Sequence, residues 1–240
     1  MKKFIYRVLM LICISVFCFS GYKLYEIYHE ANMITTENKE LEQHVVKKKV
    51  LEPDWEVLKS ENEEIVAWLY LPACDFSFPV VQGKDNSFYL NHTAKKEDNY
   101  RGAIFMDYRN NSDFMDGNTV VYGHSVEGGG MFTSLKNFAD PSFFNENPYF
   151  YILTPEQNYK CNIYTFAKTV ENSVFYSKVV QSADIEQMKL EALHYNNVNF
   201  DDNNLITLST CDLDYGFHSV NRLVLTAVME PYEDPIELEK

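Results

Sequence analysis

The chain has 240 residues, 46% of them hydrophobic and 15% aromatic, with only 9 Gly and 8 Pro. That composition excludes a disordered, collagen-like or linker protein. The net charge is −14, and because the first 23 residues hold four bases (Lys2, Lys3, Arg7 and Lys23) and no acid, residues 24–240 carry −18. An acidic body without a basic run repels phosphate backbones, which argues against nucleic acid as a partner.

From the N-terminus, residues 8–22 carry no charge, and Phe4, Ile5 and Tyr6 extend the apolar run past Arg7. Residues 4–22 approach the roughly 20 residues that a membrane-spanning helix needs. A cleaved signal peptide is the alternative, but Ser20-Gly21-Tyr22-Lys23-Leu24 offers no good small-residue cleavage site. Bases ahead of the span favour an inside N-terminus, with the body outside the cytoplasm. Residues 1–23 therefore read as a tail and anchor. Residues 24–52 follow as a polar helical stalk with Leu24, Ile27, Tyr28 and Ala31 at helical spacing, ending before Pro53. Residues 53–240 form one domain large enough to need no disulfide staples.

Within that domain, Asp54 is placed to cap a short helix carrying Trp55 and Leu58. Strands are predicted at 65–71, 78–82, 102–108, 118–123, 149–153, 160–170, 205–211 and 222–229, separated by turn clusters such as 110–113 and 201–204. A short helix is predicted near 131–138. A longer one starts near Ser182 or Asp184, with Ile185, Met188 and Ala192 on one stripe. Eight strands without βα alternation predict a mainly β fold with flanking helices, a closed or nearly closed eight-stranded barrel.

Metal and cofactor signatures are missing: the six histidines form no H-x-x-x-H pair, the cysteines no C-x-x-C, and there is no P-loop or G-x-G-x-x-G. No metal and no cofactor are expected. Cys13 and Cys18 fall in the apolar span, which leaves Cys74, Cys161 and Cys211, an odd number outside it. Cys211 ends the apolar run Leu205–Thr210 and is followed at once by polar residues; His124 follows the run Thr119–Gly123, and Arg222 opens the last strand. A thiol, an imidazole and a guanidinium meeting at one barrel rim would make a cysteine acyl-transfer site. Spacing alone also allows a core thiol, a loop histidine and a surface ion-pair partner, with His218 as rival base and Arg101 and Arg109 as rival cations.

The stretches that carry these residues resemble the sortases, membrane-anchored transpeptidases of Gram-positive bacteria. Thr207-Leu208-Ser209-Thr210-Cys211 resembles the family's TLxTC nucleophile strand, and Asn118–His124 its histidine strand. Arg222 stands where the family's arginine opens the final strand. Phe78–Gln82 with Asp85–Leu90, and Gly102–Asn110, point to class B, as do the long helix before the nucleophile strand and the helical N-terminal extension. The likeness covers roughly residues 53–230.

The resemblance implies that Cys211 is the nucleophile, His124 the general acid/base and Arg222 the oxyanion or substrate donor. It further implies that Asn86, Leu90, Tyr122 and Ser209 line the substrate groove and that the backbone N–H of Asp212 completes the oxyanion hole. The implied partners are surface proteins bearing a C-terminal NPxTN- or NPxTG-like sorting signal, cleaved after its Thr. The implied acceptors are a lipid II or peptidoglycan amine, or a pilin lysine. A papain-like hydrolase would carry its cysteine early, on a helix. A non-catalytic anchored barrel serving binding or assembly remains the alternative from another class.

Overall fold

The computed structural model describes residues 2–47, 49–126, 129–200, 204–216 and 219–238, without the side chains of residues 2, 3 and 5. His218, the first glycine of Gly128–Gly130 and most of the 201–204 turn lie outside these. In chain order the elements are α1 (Lys2–Glu42), β1 (Val46–Lys47), β2 (Val50–Leu51), α2 (Trp55–Glu61), β3 (Ile65–Leu71), β4 (Phe76–Val81), β5 (Ile104–Met106), β6 (Asn118–Tyr122), α3 (Pro141–Glu146), β7 (Tyr149–Leu153), β8 (Asn158–Val170), α4 (Ser182–Glu191), β9 (His194–Tyr195), β10 (Leu205–Cys211) and β11 (Asn221–Pro231). All eight predicted strands are present. A 3-10 segment, Phe132–Ala139, stands where the first helix was predicted.

Eight strands close into a barrel in the order β3-β4-β5-β6-β10-β11-β8-β7, with β7 returning to β3 and the short β9 added to the free edge of β8. Closure depends on β8. Its 13 residues are long enough to pair with β7 along their first half and with β11 along nearly their whole length. Most neighbours are antiparallel, but β4–β5 and β6–β10 run parallel.

Alternation along the strands divides the apolar side chains among three clusters. Leu69, Ile104, Val121, Ile206, Leu208 and Leu225 fill the barrel. On the outer face, Leu205, Val224 and Val228 lie with Met188 of α4 and Phe175. A third cluster on another part of the outer wall joins Leu41, Leu51, Leu58, Trp68 and Ile236. The wall strands are therefore buried on both faces, and β10 and most of β11 are buried residue after residue.

The N-terminal segment differs from the predicted stalk. The helix ends at Glu42 rather than before Pro53, and the β1–β2 hairpin follows, with Leu51 N–H donating to Ile236 O of the C-terminal tail. From Glu30 onward α1 lies against the barrel. Asn38 donates to Ser77 O at 2.8 Å, Asn99 to Glu30 O at 3.0 Å, and the Lys95 N–H to the buried Glu37 carboxylate at 3.1 Å. The polar face of this half-helix thus hydrogen-bonds to the body while Leu41 is buried beneath it, so Pro53 is no boundary in the packing. The N-terminal half of α1 exposes Leu9, Leu11, Ile14, Val16 and Phe19, and its long apolar stretch makes it a candidate membrane span.

One glycine positions the site. A Cβ on Gly123 would stand 2.5 Å from Ile104 Cδ1 and 2.7 Å from Phe132 Cδ2, both in the barrel core. Only a hydrogen lets the chain pass between these side chains just before His124. Gly123→Ala is therefore expected to cost about 1–3 kcal/mol through overpacking, read as a lowered midpoint in chemical denaturation. A midpoint equal to wild type would show that Phe132 yields without cost.

Candidate active site

Strand pairing brings the three predicted catalytic side chains to one level. Cys211 is the register partner of Arg222 across the β10–β11 ladder. On its other side β10 pairs in parallel with β6, Ser209 opposite Tyr122, and the same step of two residues brings His124 level with Cys211. Because side chains alternate, Ser209 and Cys211 share the outer face of the barrel with Tyr122, His124 and Arg222. There they border a cleft of about 420 Å³, which Asn86, Leu90 and Tyr176 also line.

His124 lies just beyond the end of β6 and is tied to β10 on both sides. The Gly123 N–H donates to Ser209 O at 3.1 Å, and the Ser125 and Thr210 hydroxyls share a hydrogen bond of 2.9 Å. The imidazole Nε2 stands 2.9 Å from Leu90 O, a group that can only accept, so Nε2 carries the proton. In the neutral ring Nδ1 is then the nitrogen with a free lone pair. Leu90 thus serves the site twice, through its side chain in the cleft and through its carbonyl.

Cys211 is half-buried, and burial raises its thiol above the ordinary value. The resting site therefore holds a neutral thiol at pH 7. Arg222 is anchored on the loop after Cys211: Nη1 donates to Ser219 O at 2.6 Å and to Asn221 O at 2.9 Å, while Nη2 meets the Glu171 carboxylate. Glu171 in turn holds the β11 end of that loop through its own N–H to Val220 O at 3.0 Å.

The groove residues form a second, aromatic layer. The Tyr122 hydroxyl donates to Asp107 Oδ2 at 2.9 Å, and Arg109 clasps the same carboxylate with Nε at 3.0 Å and Nη2 at 2.7 Å. Burial alone would raise the Asp107 carboxyl, but its bonds to Arg109 and Tyr122 hold it below the ordinary value. Tyr122 stacks on Tyr176, whose hydroxyl bonds Ser209 Oγ at 2.8 Å and is pushed up to about 12 by burial. Asn86 Oδ1 accepts the Tyr108 N–H at 3.0 Å, which commits the acceptor end of its amide.

Asp212 departs from expectation. Its backbone N–H donates to Asn221 O at 3.1 Å, extending the β10–β11 ladder one residue past Cys211, so this donor is already used and does not face the cleft. The Asp212 side chain lines a different cavity. Of the rival cations, Arg109 lines the cleft but is bound to Asp107. Arg101 is buried elsewhere, with Nη1 on Gly129 O at 3.1 Å. Sequence reasoning missed Phe105, Tyr108, Tyr176, Glu171 and Asn172 as cleft residues. The aromatic Val174–Tyr176 segment was the one available signal, and nothing local to it says which strand it crosses.

Comparison with known proteins agrees with this geometry. Residues 69–230 match the family model for the sortase domain. Sortase B of Listeria monocytogenes is 30% identical over 237 residues, covering 93% of this chain and 96% of the relative. The structure of a Staphylococcus aureus sortase B–substrate complex superposes with a TM-score of 0.76 at 25% identity, covering 85% of this chain and all of that one. A Streptococcus pyogenes class B sortase involved in pilus biogenesis superposes at 0.67 with 28% identity, covering 74% and 98%. Closed barrel, motif order and matched length agree: the chain belongs to the sortase family of cysteine transpeptidases.

Proposed function

We propose that this transpeptidase cleaves a C-terminal sorting signal of the NPxTN or NPxTG kind after its Thr and transfers the protein to an amine. Cys211 is the nucleophile, His124 the general acid/base and Arg222 the oxyanion donor. The observation that carries the assignment is the common level of these three side chains across adjacent strands at the mouth of one cleft. Asn86, Leu90, Tyr122 and Ser209 form the groove wall, a shape suited to an extended peptide with small and polar side chains.

The resting thiol is neutral, so its proton leaves as the sulfur attacks the Thr carbonyl, entering the His124 ring at Nδ1. Arg222 donates to the developing oxyanion, which the Asp212 N–H is not free to do. His124 then returns the proton to the departing amine, the C–N bond breaks, and a thioacyl-enzyme remains. An acceptor amine attacks that thioester, and the C–S bond breaks. His124 carries the amine's surplus proton to sulfur, which restores the thiol and leaves an amide. Candidate acceptors are a cell-wall precursor amine or a pilin lysine. The apolar half of α1 anchors the enzyme in the cell membrane, and Lys2, Lys3 and Arg7 keep its start inside, so the barrel works on the extracellular face.

The decisive assay follows quenched NPQTN-, NPKTG-, LPxTG- and PPxTG-like peptides with the full chain in detergent, with and without an amine. Cleavage after Thr that yields an amide product and vanishes in Cys211→Ala is expected; a folded wild-type enzyme that cleaves none of them would count against the signal class. His124→Gln should lower kcat by about 10²–10⁴ and Arg222→Ala by about 10²–10³, with little rescue by Arg222→Lys because an ammonium lacks the planar fork.

The raised thiol predicts the pH dependence of alkylation. Iodoacetamide labelling of Cys211, mapped by mass spectrometry, should be slow at pH 7 and rise about tenfold per pH unit until the pH nears the raised thiol value, because only the thiolate reacts. Cys161, fully buried, should stay unlabelled in the folded protein. A plateau below pH 7 at Cys211 would mean a preformed thiolate–imidazolium pair.

A further inference from the structure

We propose that a second cleft, opening on the far side of Cys211, receives the acceptor as a primary ammonium drawn in by Asp212 and Asp214. The inference rests on the acyl-transfer reading above and concerns the half of the reaction which the first cleft does not explain. While the amine attacks, the acyl segment still fills the first cleft, so the amine needs another path to the same carbonyl carbon. Such a path exists. A cavity of about 440 Å³ is lined by Ser125, Thr133, Asp140, Lys168, Asp212 and Leu223, and Cys211 forms part of its wall. Among the described residues, Cys211 is the one that lines both clefts.

Three carboxylates, Asp140, Asp212 and Asp214, line this cleft with two ammonium groups, Lys136 and Lys168, which leaves an excess of acid to hold a further cation. Asp212 is only 3% exposed. Its Oδ1 accepts the Asp214 N–H at 3.1 Å, whereas its buried Oδ2 makes no hydrogen bond. A buried carboxylate oxygen without a donor is costly to keep. Lys168 relieves that cost incompletely, its Nζ standing 3.5 Å from Asp212 Oδ2 and 3.3 Å from the exposed Asp214 Oδ2. Lys168 is itself a primary alkyl ammonium on a mobile stem, so its seat shows that the cleft accommodates the group an acceptor would bring. An arriving ammonium takes over these carboxylates as Lys168 swings out to solvent. Released from them, the acceptor hands one proton to water. The neutral amine then attacks the thioester, the C–S bond breaks, and the second proton passes through His124 to the Cys211 sulfur.

The test compares, within each variant of the full chain, kcat/KM for a charged amine with kcat/KM for hydroxylamine, which is uncharged at neutral pH. Taking this ratio removes any effect of a variant on folding or on thioacylation. Asp214→Asn should lower the ratio about threefold, and Asp212→Asn, which keeps the Oδ1 acceptor, about tenfold. Lys168→Gln should raise it, because the competing ammonium is gone. Running the charged arm with Nα-acetyl-lysine amide and with triglycine distinguishes a side-chain amine from a chain-terminal one. A ratio that stays within twofold of wild type in all three variants overturns the proposal. Failure of the wild-type enzyme to form a thioacyl adduct, read by intact-protein mass, would instead remove the acyl-transfer reading and this proposal with it.

Discussion

The site depends on one strand having two kinds of neighbour. β10 is parallel to β6 on one edge and antiparallel to β11 on the other, and the two ladders together set the relative height of three side chains that are 87 and 11 positions apart in the chain. A slip of one residue in either ladder would turn one of the three to the barrel interior, since alternation has a period of two. Because both faces of the wall are buried, such a slip would also expose a run of Leu and Val and bury polar groups. The core therefore fixes the register, and the register fixes the site.

The threonines of β10 belong to the same constraint. Thr207 Oγ1 donates to Asn118 Oδ1 at 3.0 Å and lies 3.1 Å from Thr226 Oγ1, so one hydroxyl joins β10 to both flanking strands. Asn118 extends the link to Phe175 O at 2.9 Å, at the base of the segment that delivers Tyr176. Thr210 reaches the other way, to Ser125 beside His124. Buried hydroxyls need partners, and here the partners stand at the same ladder positions that set the active-site level. Replacing either threonine by Val would keep the shape of the strand and lose these ties.

Much of this was legible in the sequence. Ile65–Leu71, Tyr149–Leu153 and Leu205–Cys211 are read with their observed ends because a polar residue or a turn cluster follows each apolar run at once. Barrel closure was legible only as a strand count, since the pairing of β8 with β11 joins segments far apart in the chain. The docking of α1 was hidden because its contacts are polar: Glu30, Glu37 and Asn38 look like a solvated face until Asn99, Lys95 and Ser77 are placed against them. The reading of Asp212 failed for a reason visible only in the ladder. The β10–β11 pairing runs one residue past Cys211 and consumes the N–H that a bare motif leaves open.

A neutral resting thiol is consistent with where the proposed anchor puts the enzyme. A standing thiolate is the form that oxidants attack, and an extracytoplasmic enzyme lacks the reducing pool that would repair it. Burial keeps the Cys211 proton in place, and the ring that would take it is already oriented by Leu90 O. The cost is a small thiolate population at any moment. The gain is intrinsic nucleophilicity, which rises with thiol pKa. A carboxylate-lined second approach would add a matching preference at the resolving step. Water needs no carboxylate to reach a thioester, but a cationic acceptor concentrated beside Cys211 competes with it for the same carbonyl. Both halves of the cycle would then rest on the position of one residue, Cys211, between the peptide groove and a cavity in which carboxylates outnumber ammonium groups.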